Sequence, residues 1–519
     1  MKRILLSLFV VCAGLCSLNA ANYFVKINGG GDGSSWNDAF SPAAAKTAIE
    51  TAATGDTFFF AAGTYKFGSA LTITSGIVVQ GGYSMDAQGI ETVIIYPSEN
   101  ITVFSGNNSH QVLLINSPSN KVTLKGVTVA EGKITSGSAA ADSRPGVHVR
   151  PTSMLELYYC TITANQNTVV ASAAAGGAGI YIETNNTNGG QVYAYKSVIS
   201  NNISNNRGGG IRLGGNNVKL ILEQCLVTGN STDGGSSGNY GGGIQGSGTG
   251  TWMCLINTTV TGNSLSGKGG GGVATDGSLF LISSTIAGNI TGDASEGTDL
   301  RLGNASSVFH SINSIVVGGE SNAICVTPVN AMSNGFNILG SILSRSGGSL
   351  IAAQTDITNK TATQIFNTSS LNDNDGYPQT LKPVTLVAGA TLAELEAFKT
   401  NFNLNIGDVS KDQRGNSRAT EGRVCRGAYD DGTSFKDTVI IPDNIKYPLT
   451  QDTFIVWGNG YGENKLLRFP QKWQSIIPTE NNIWQRVQYS AGMQIRFHTN
   501  ASTLIVNCAN SKYASNDWF

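Results

Sequence analysis

Cys225-Leu226-Val227-Thr228-Gly229-Asn230, Thr258-Thr259-Val260-Thr261-Gly262-Asn263 and Ser284-Thr285-Ile286-Ala287-Gly288-Asn289 are three copies of one phrase, and two looser copies, Cys160 to Asn165 and Ser197 to Asn202, precede them. Each reads small residue, β-branched residue or Leu, Ile or Val, Thr or Ser (once Ala), small residue or Asn, then Asn. The closing Asn residues are 37, 28, 33 and 26 positions apart, a mean of 31. A second ladder runs between them: Gly-Gly-Ala-Gly-Ile ending at Ile180, Gly-Gly-Gly-Ile at Ile211 and Ile244, and Gly-Gly-Gly-Gly-Val at Val273.

Within each phrase the apolar residue (Ile162, Ile199, Val227, Val260, Ile286) falls two places after the small one, so in a strand both face the same way. The Thr or Ser faces outward. Asn tolerates the turn that follows, and its amide can bond the Asn of the next coil. The glycines allow a tight bend before the next strand. One such coil cannot bury its inner face, but a stack can. The pattern predicts an all-β chain built as a right-handed parallel β-helix, with roughly ten coils over residues 70–385 and a rod about 50 Å long. A β-propeller would show regular blades of about 40–45 residues with aromatic signatures, and these are absent.

Composition agrees. Of 519 residues, 65 are Gly and 48 are Asn, both poor helix formers. Lys plus Arg (33) nearly cancels Asp plus Glu (34), so no basic field exists for nucleic acid. The first twenty residues read as an export signal: Lys2 and Arg3, the apolar run Ile4 to Leu18, and a cleavage site at Leu18-Asn19-Ala20. Cys16 would be the acylated residue of a lipoprotein, but Ala13-Gly14-Leu15 is a poor lipobox. No later apolar run is long enough to span a membrane as a helix. The six later Cys residues lack metal or disulfide-framework spacing and read as small buried hydrophobes.

The alternating GGGI and I/V-T-G-N ladders resemble those of secreted β-helix proteins of the pectin-lyase-like superfamily, and bacterial polymorphic outer-membrane adhesins carry a similar repeat. Gly33-Ser34-Ser35-Trp36-Asn37-Asp38-Ala39, Gly55-Asp56, Ala62-Gly63-Thr64-Tyr65 and Gly81-Gly82-Tyr83 resemble the N-terminal cap and first coils of that superfamily. Leu371, Asp373-Asn374-Asp375-Gly376, Gln379-Thr380-Leu381, Asp412-Gln413-Arg414-Gly415, Arg418 and Gly427-Ala428-Tyr429 resemble the exit of choice-of-anchor Q surface proteins. From Tyr447 onward glycines thin out. Leu467-Arg468-Phe469-Pro470, Trp484, Ser490-Ala491-Gly492 and Ile495 to Asn500 are similar to the N-terminal β-sandwich of certain bacterial SGNH-type esterases, without a Gly-Asp-Ser nucleophile block. These resemblances divide the chain into a signal (1–20), a capped β-helix (21–430), a linker (431–446) and a partial β-sandwich (447–519), with an esterase domain expected to follow.

For chemistry, aligning strands on Ile180, Ile211, Ile244 and Val273 gives an outward row of Tyr181, Arg212, Gln245 and Ala274. Two places on, the same face carries Glu183, Gly214, Ser247 and Asp276. Tyr181, Glu183, Arg212, Gln245 and Asp276 are therefore the candidate substrate-binding residues, an aromatic, an Arg, an amide and two carboxylates able to cradle a sugar chain; an ordinary solvated sheet face is the plainer account. Arg144, His148 and Arg150 form a basic group near Asp142, and Lys219 with Glu223 reads as a cross-face ion pair. Asp373 to Gly376 reads as a tight turn, lacking the bidentate Glu of a calcium loop. Asp412 to Gly415 reads as an internal tie through Arg414. No P-loop, H-E-x-x-H, G-x-S-x-G or Trp-x-Asp-His block occurs. No complete catalytic set is identifiable, so the catalytic residues and any activity stay open; no metal ligand set or cofactor is expected, with Ca²⁺ the one ion a glycan site would call for. The expectation is a monomeric, secreted or surface-exposed protein recognising a polysaccharide. A lyase or glycosidase on the β-helix face, an adhesin or stalk, and a spacer for an esterase are the alternatives.

Overall fold

The computed structural model describes residues 20–88, 101–135, 144–169, 176–233, 240–319, 322–328, 331–366, 370–404, 406–435, 493–499 and 502–508. The signal segment, Asp142 and most of the esterase-like stretch lie outside them. The chain divides into two units, Met1–Phe435 and Lys436–Phe519. In the second, Met493–Thr499 pairs antiparallel with Ser502–Cys508.

In the first unit, three long parallel sheets carry the coils. Sheet A has twelve strands, from Asn22–Val25 to Leu350–Ile351; sheets B and C have ten each, from Gly63–Lys66 to Ile338–Leu339 and from Leu71–Ile73 to Ile342–Ser344. One circuit visits Lys219–Glu223 in A, Leu226–Thr228 in B, Ser231–Thr232 in a short six-stranded sheet, and Ile244–Gly246 in C. Successive coils stack in register, as in Ile162↔Ile199↔Val227↔Val260↔Ile286. All five residues are fully buried, and burying each aliphatic side chain contributes about 1.5–3 kcal/mol. The protein is an all-β parallel β-helix. Its coils stop near Ile351, earlier than the repeat length suggests, because the chain then leaves the stack.

The closing Asn residues form a continuous ladder. Asn165 Nδ2 donates to Asn202 Oδ1, Asn202 to Asn230, Asn230 to Asn263 and Asn263 to Asn289, each at 2.9 Å, and Asn289 donates to Asp299 Oδ1. Each acceptor also takes the backbone N–H of the Asn below, as Asn230 Oδ1 takes that of Asn202 at 3.1 Å. The glycine ladder fits against it. A Cβ on Gly210 would lie 2.9 Å from the Asn230 amide and 2.6 Å from the Gly243 carbonyl, and Gly243 stands in the same relation to Asn263. Only a residue without a side chain fits there.

The N-terminal end of the stack is closed by helix Pro42–Glu50, capped by the Ser41 side chain, with Ala45 and Ile49 in the core. The C-terminal segment does something different from capping the far end. Residues 371–404 and 406–435 fold back as a strap over the flank of the rod. Ala390 N–H bonds Asn313 Oδ1, Asp408 N–H bonds Glu223 Oε1, Lys196 Nζ reaches the Arg414 carbonyl, and Arg426 returns to the Asn337 carbonyl. Helix Leu392–Asn401 lays Leu395 and Phe398 onto Cys254, Phe280 and Ile312 of sheet A. Arg414 pairs with Asp412 at 2.7 Å, the internal tie expected there, and Arg418 pairs with Asp430 at 3.0 Å with both side chains fully buried. Arg418 also bonds Asn257 Oδ1. Asp373 to Gly376 is a turn closed by Gly376 N–H to Asp373 O. Cys160, Cys225, Cys254, Cys325 and Cys425 are free and buried, as small hydrophobes.

Removing one rung tests the ladder. Asn230→Ala is expected to cost about 1–3 kcal/mol, the penalty for orphaning buried partners, read as a lower denaturation midpoint; Asn188→Ala on an exposed loop should barely move it. Equal effects would remove the ladder from this role. The terminal Asp299 adds a pH dependence. Burial raises its carboxyl to about 7, against the opposing pull of Asn289 and Thr298. An unfolded Asp ionises near about pH 4, so across roughly pH 4–7 the native state holds the extra proton and stability falls as pH rises. Asp299→Asn should abolish that fall. The melting-temperature gap between variant and parent should therefore widen with pH; a constant gap refutes it.

Candidate functional site

The outward row of sheet C forms in the predicted register: His148 pairs with Tyr181, Tyr181 with Arg212, Arg212 with Gln245 and Gln245 with Ala274. Its exposure differs from expectation. Tyr181, Arg212, Gln245 and Ala274 are 6%, 3%, 2% and 1% exposed. The cause is local. The glycine turn before each strand doubles back, so that a Cβ on Gly177, Gly208, Gly241 or Gly270 would lie 2.7–3.1 Å from the Cβ of the residue four places later, Tyr181, Arg212, Gln245 or Ala274. All four glycines have φ between +63° and +73°, which L residues rarely adopt. The row is roofed by its own turns.

Beneath that roof lies a cationic layer. The Arg144 guanidinium sits 3.6 Å from the Tyr181 ring centre and that of Arg212 5.6 Å away, close enough for cation–π attraction. The Tyr181 phenol fills the space a side chain at Gly214 would take. Burial pushes Arg212 down to about 10, with Arg144 and Arg207 adding to the shift. His148 Nε2 lies 3.0 Å from Glu183 Oε2, and Arg150 reaches the same oxygen at 3.0 Å. Burial depresses the His148 pKa, outweighing the pull of Glu183, so the neutral ring donates. Glu183 is held below its usual value: burial opposes this, but His148 and Arg150 prevail. At the far end Arg301 bonds Glu296 at 2.8 Å and Asp276 at 3.4 Å and stacks on Tyr240. The structure thus joins the two groups that the sequence kept apart, Arg144/His148/Arg150 and Tyr181/Glu183/Arg212, and separates Asp276 into a different ion-pair network.

The outer face of sheet A presents a different surface. Its strands alternate inward Leu, Val and Met with outward residues in two rows, the second of them covered at Cys254 and Phe280 by the strap helix. One row is Lys121, Met154, Gln191, Lys219, Trp252, Ser278 and Val308; the other is Glu156, Tyr193, Ile221, Cys254, Phe280, His310 and Met332. A third row, at Glu223, Ile256, Ile282 and Ile312, is buried on the strap side. The strap therefore walls one side of a groove running across the coils. Along the wall, Trp252 packs on Phe280 at 5.6 Å, and Phe402 on His310 at 4.1 Å and on Phe280 at 5.6 Å. Trp252, Tyr193, Ile221 and His310 are half-buried; Met154, Lys219, Val308 and Met332 are exposed.

The carboxylates of this face are fixed as acceptors. Glu156 pairs with Lys121 at 3.2 Å and accepts from Tyr158 Oη; Glu223 accepts from Tyr193 Oη at 2.6 Å and from the Asp408 N–H. Burial, with Glu156 and Glu223 nearby, pushes Tyr158 up to about 12, and Tyr193 rises too, so both phenols stay protonated donors. The expected Lys219–Glu223 ion pair does not form. Four residues along an extended strand separate the two by about 13 Å, and Glu223 turns instead to Tyr193. The signal for the groove is present in the sequence, in the strands Gln191–Tyr195, Lys219–Glu223 and Trp252–Ile256, whose first and third residues face outward.

No protein-family model matches the chain, and no curated protein matches it in sequence. Among solved structures, a crystal structure of pectate lyase Pel9A is similar at 16% identity, covering 78% of this chain and 98% of that one, with a TM-score of 0.41.

If the sheet C layer is structural, replacing Tyr181 and Arg212 together by Ala should destabilise the fold by about 3–5 kcal/mol, the range for truncating a buried aromatic. Thermal melting measures it; an unchanged melting temperature would return this row to the solvent-facing role the sequence suggested.

Proposed function

We propose that this chain is an exported β-helix protein that holds an extended glycan in the groove between sheet A and the strap. The carrying observation is the composition of the groove floor, where Tyr193 and Trp252 stand two coils apart among Gln191, Lys219, Ser278 and His310. A sugar ring has an apolar C–H face and a hydroxyl rim, and recognition needs a flat apolar partner beside hydrogen-bonding groups. Coils spaced about 4.8 Å apart set these groups one after another along the rod, which suits a polymer lying across the strands. Export rests on the signal pattern of the first twenty residues. A binding role is favoured over catalysis on this face because Glu156 and Glu223 are both engaged as acceptors.

Affinity electrophoresis in gels containing soluble polysaccharides tests this. Trp252→Ala should weaken retention at least tenfold, about the 1.4 kcal/mol or more expected for losing a central aromatic anchor. Retention that survives the substitution would rule out the groove.

A further inference from the structure

We infer that the ligand of the sheet A groove is a neutral polysaccharide. This rests on the groove reading above and names the class of polymer it takes. The inference comes from where the chain places its charges. On the groove floor the one carboxylate, Glu156, is matched at 3.2 Å by Lys121. Glu223 is only 4% exposed and is spent on Tyr193 and on the strap through the Asp408 N–H. Burial lowers the pKa of His310, which also contacts Asn334 at 3.2 Å, so its ring is neutral near pH 7. Among the described residues of the groove floor this leaves Lys219 as the single charge open to a ligand, while on the wall the exposed Asp408, which accepts from Ser410, adds a negative charge.

An acidic polymer presents a negative charge on each repeat, and each charge brought against low-dielectric protein needs a matching cation. The guanidinium groups that could supply such a row stand elsewhere: Arg144 and Arg212 are buried beneath the glycine turns of sheet C, and Arg301 is tied to Glu296 and Asp276. The downstream groove continues apolar through Val308, Met332 and Ile351, which are 41%, 39% and 51% exposed. A run of aromatic, amide and aliphatic groups with one cation matches C–H faces and hydroxyls, and offers little to carboxylates or sulfates.

The test uses the full chain in affinity electrophoresis against neutral polymers (xyloglucan, arabinan, mixed-linkage glucan) and against polygalacturonate and a sulfated galactan. Each gel is run at about 50 mM and about 500 mM NaCl, salts that screen surface charge weakly and strongly. Retention by a neutral polymer, changed less than about twofold by salt and lost in Trp252→Ala, is the expected result. Trp252→Leu, which keeps an apolar contact with Phe280, serves where the Ala variant melts early. Retention only by an acidic polymer, lost at high salt and in the Trp252 variants, overturns the neutral class while leaving the groove standing. Retention by no polymer, or retention that ignores Trp252 in a folded variant, overturns both.

Discussion

A single hydrogen bond, handed from one coil to the next, ties together the middle of the rod from Asn165 to Asp299. The Asn165-to-Asn289 chain of side-chain amides satisfies its own donors and acceptors out of reach of water, where an unmet polar group is costly. A buried amide stack of this kind leaves no room beside it. The neighbouring positions, Gly179, Gly210, Gly243 and Gly272, must therefore be glycine. Two places before each, Gly177, Gly208, Gly241 and Gly270 take positive φ and turn the chain back over the outward row of sheet C.

The same chain of dependence explains what could be read in advance. Both ladders are short-range patterns with a coil-length period, so the parallel stack and the pairing Tyr181↔Arg212↔Gln245 were accessible from Ile180, Ile211 and Ile244 alone. Exposure was not. Alternation along a strand reports which side a residue faces, and carries no information on what lies over that side; Gly208 folding onto Arg212 is a property of backbone angles that the letters Gly-Gly-Gly permit without announcing. The groove was hidden for a different reason. One wall comes from Phe402 and Asp408, far along the chain from Tyr193 and Glu223, and a contact over that separation leaves no periodic trace. Lys219 and Glu223 illustrate a smaller error: residues on one side of a strand share a face without being near enough to touch.

Charge is distributed unevenly over the two faces. Sheet C concentrates arginines, packed on tyrosines and carboxylates beside the glycine turns. Sheet A pairs Glu156 with Lys121, leaves Lys219 open, and spends its other outward positions largely on rings, amides and aliphatic side chains. Two surfaces of one coil thus differ in chemistry because one is closed by its own turns and the other is left open beside the strap.

Solenoids ordinarily tolerate the gain or loss of a repeat, since each unit touches only its neighbours. This one carries a ruler. The strap meets Lys196, Glu223, Asn257, Asn313 and Asn337, each on a different coil, through bonds whose order along the strap is fixed. The strap runs down from Asn313 to Lys196 and back to Asn337, so deleting an internal coil would leave each pass too long by one step and its buried arginines out of register with their acceptors. The stretch from Lys196 to Asn337 is thereby measured against a second segment of the same chain, and an inserted repeat escapes that measure only among the coils the strap does not span.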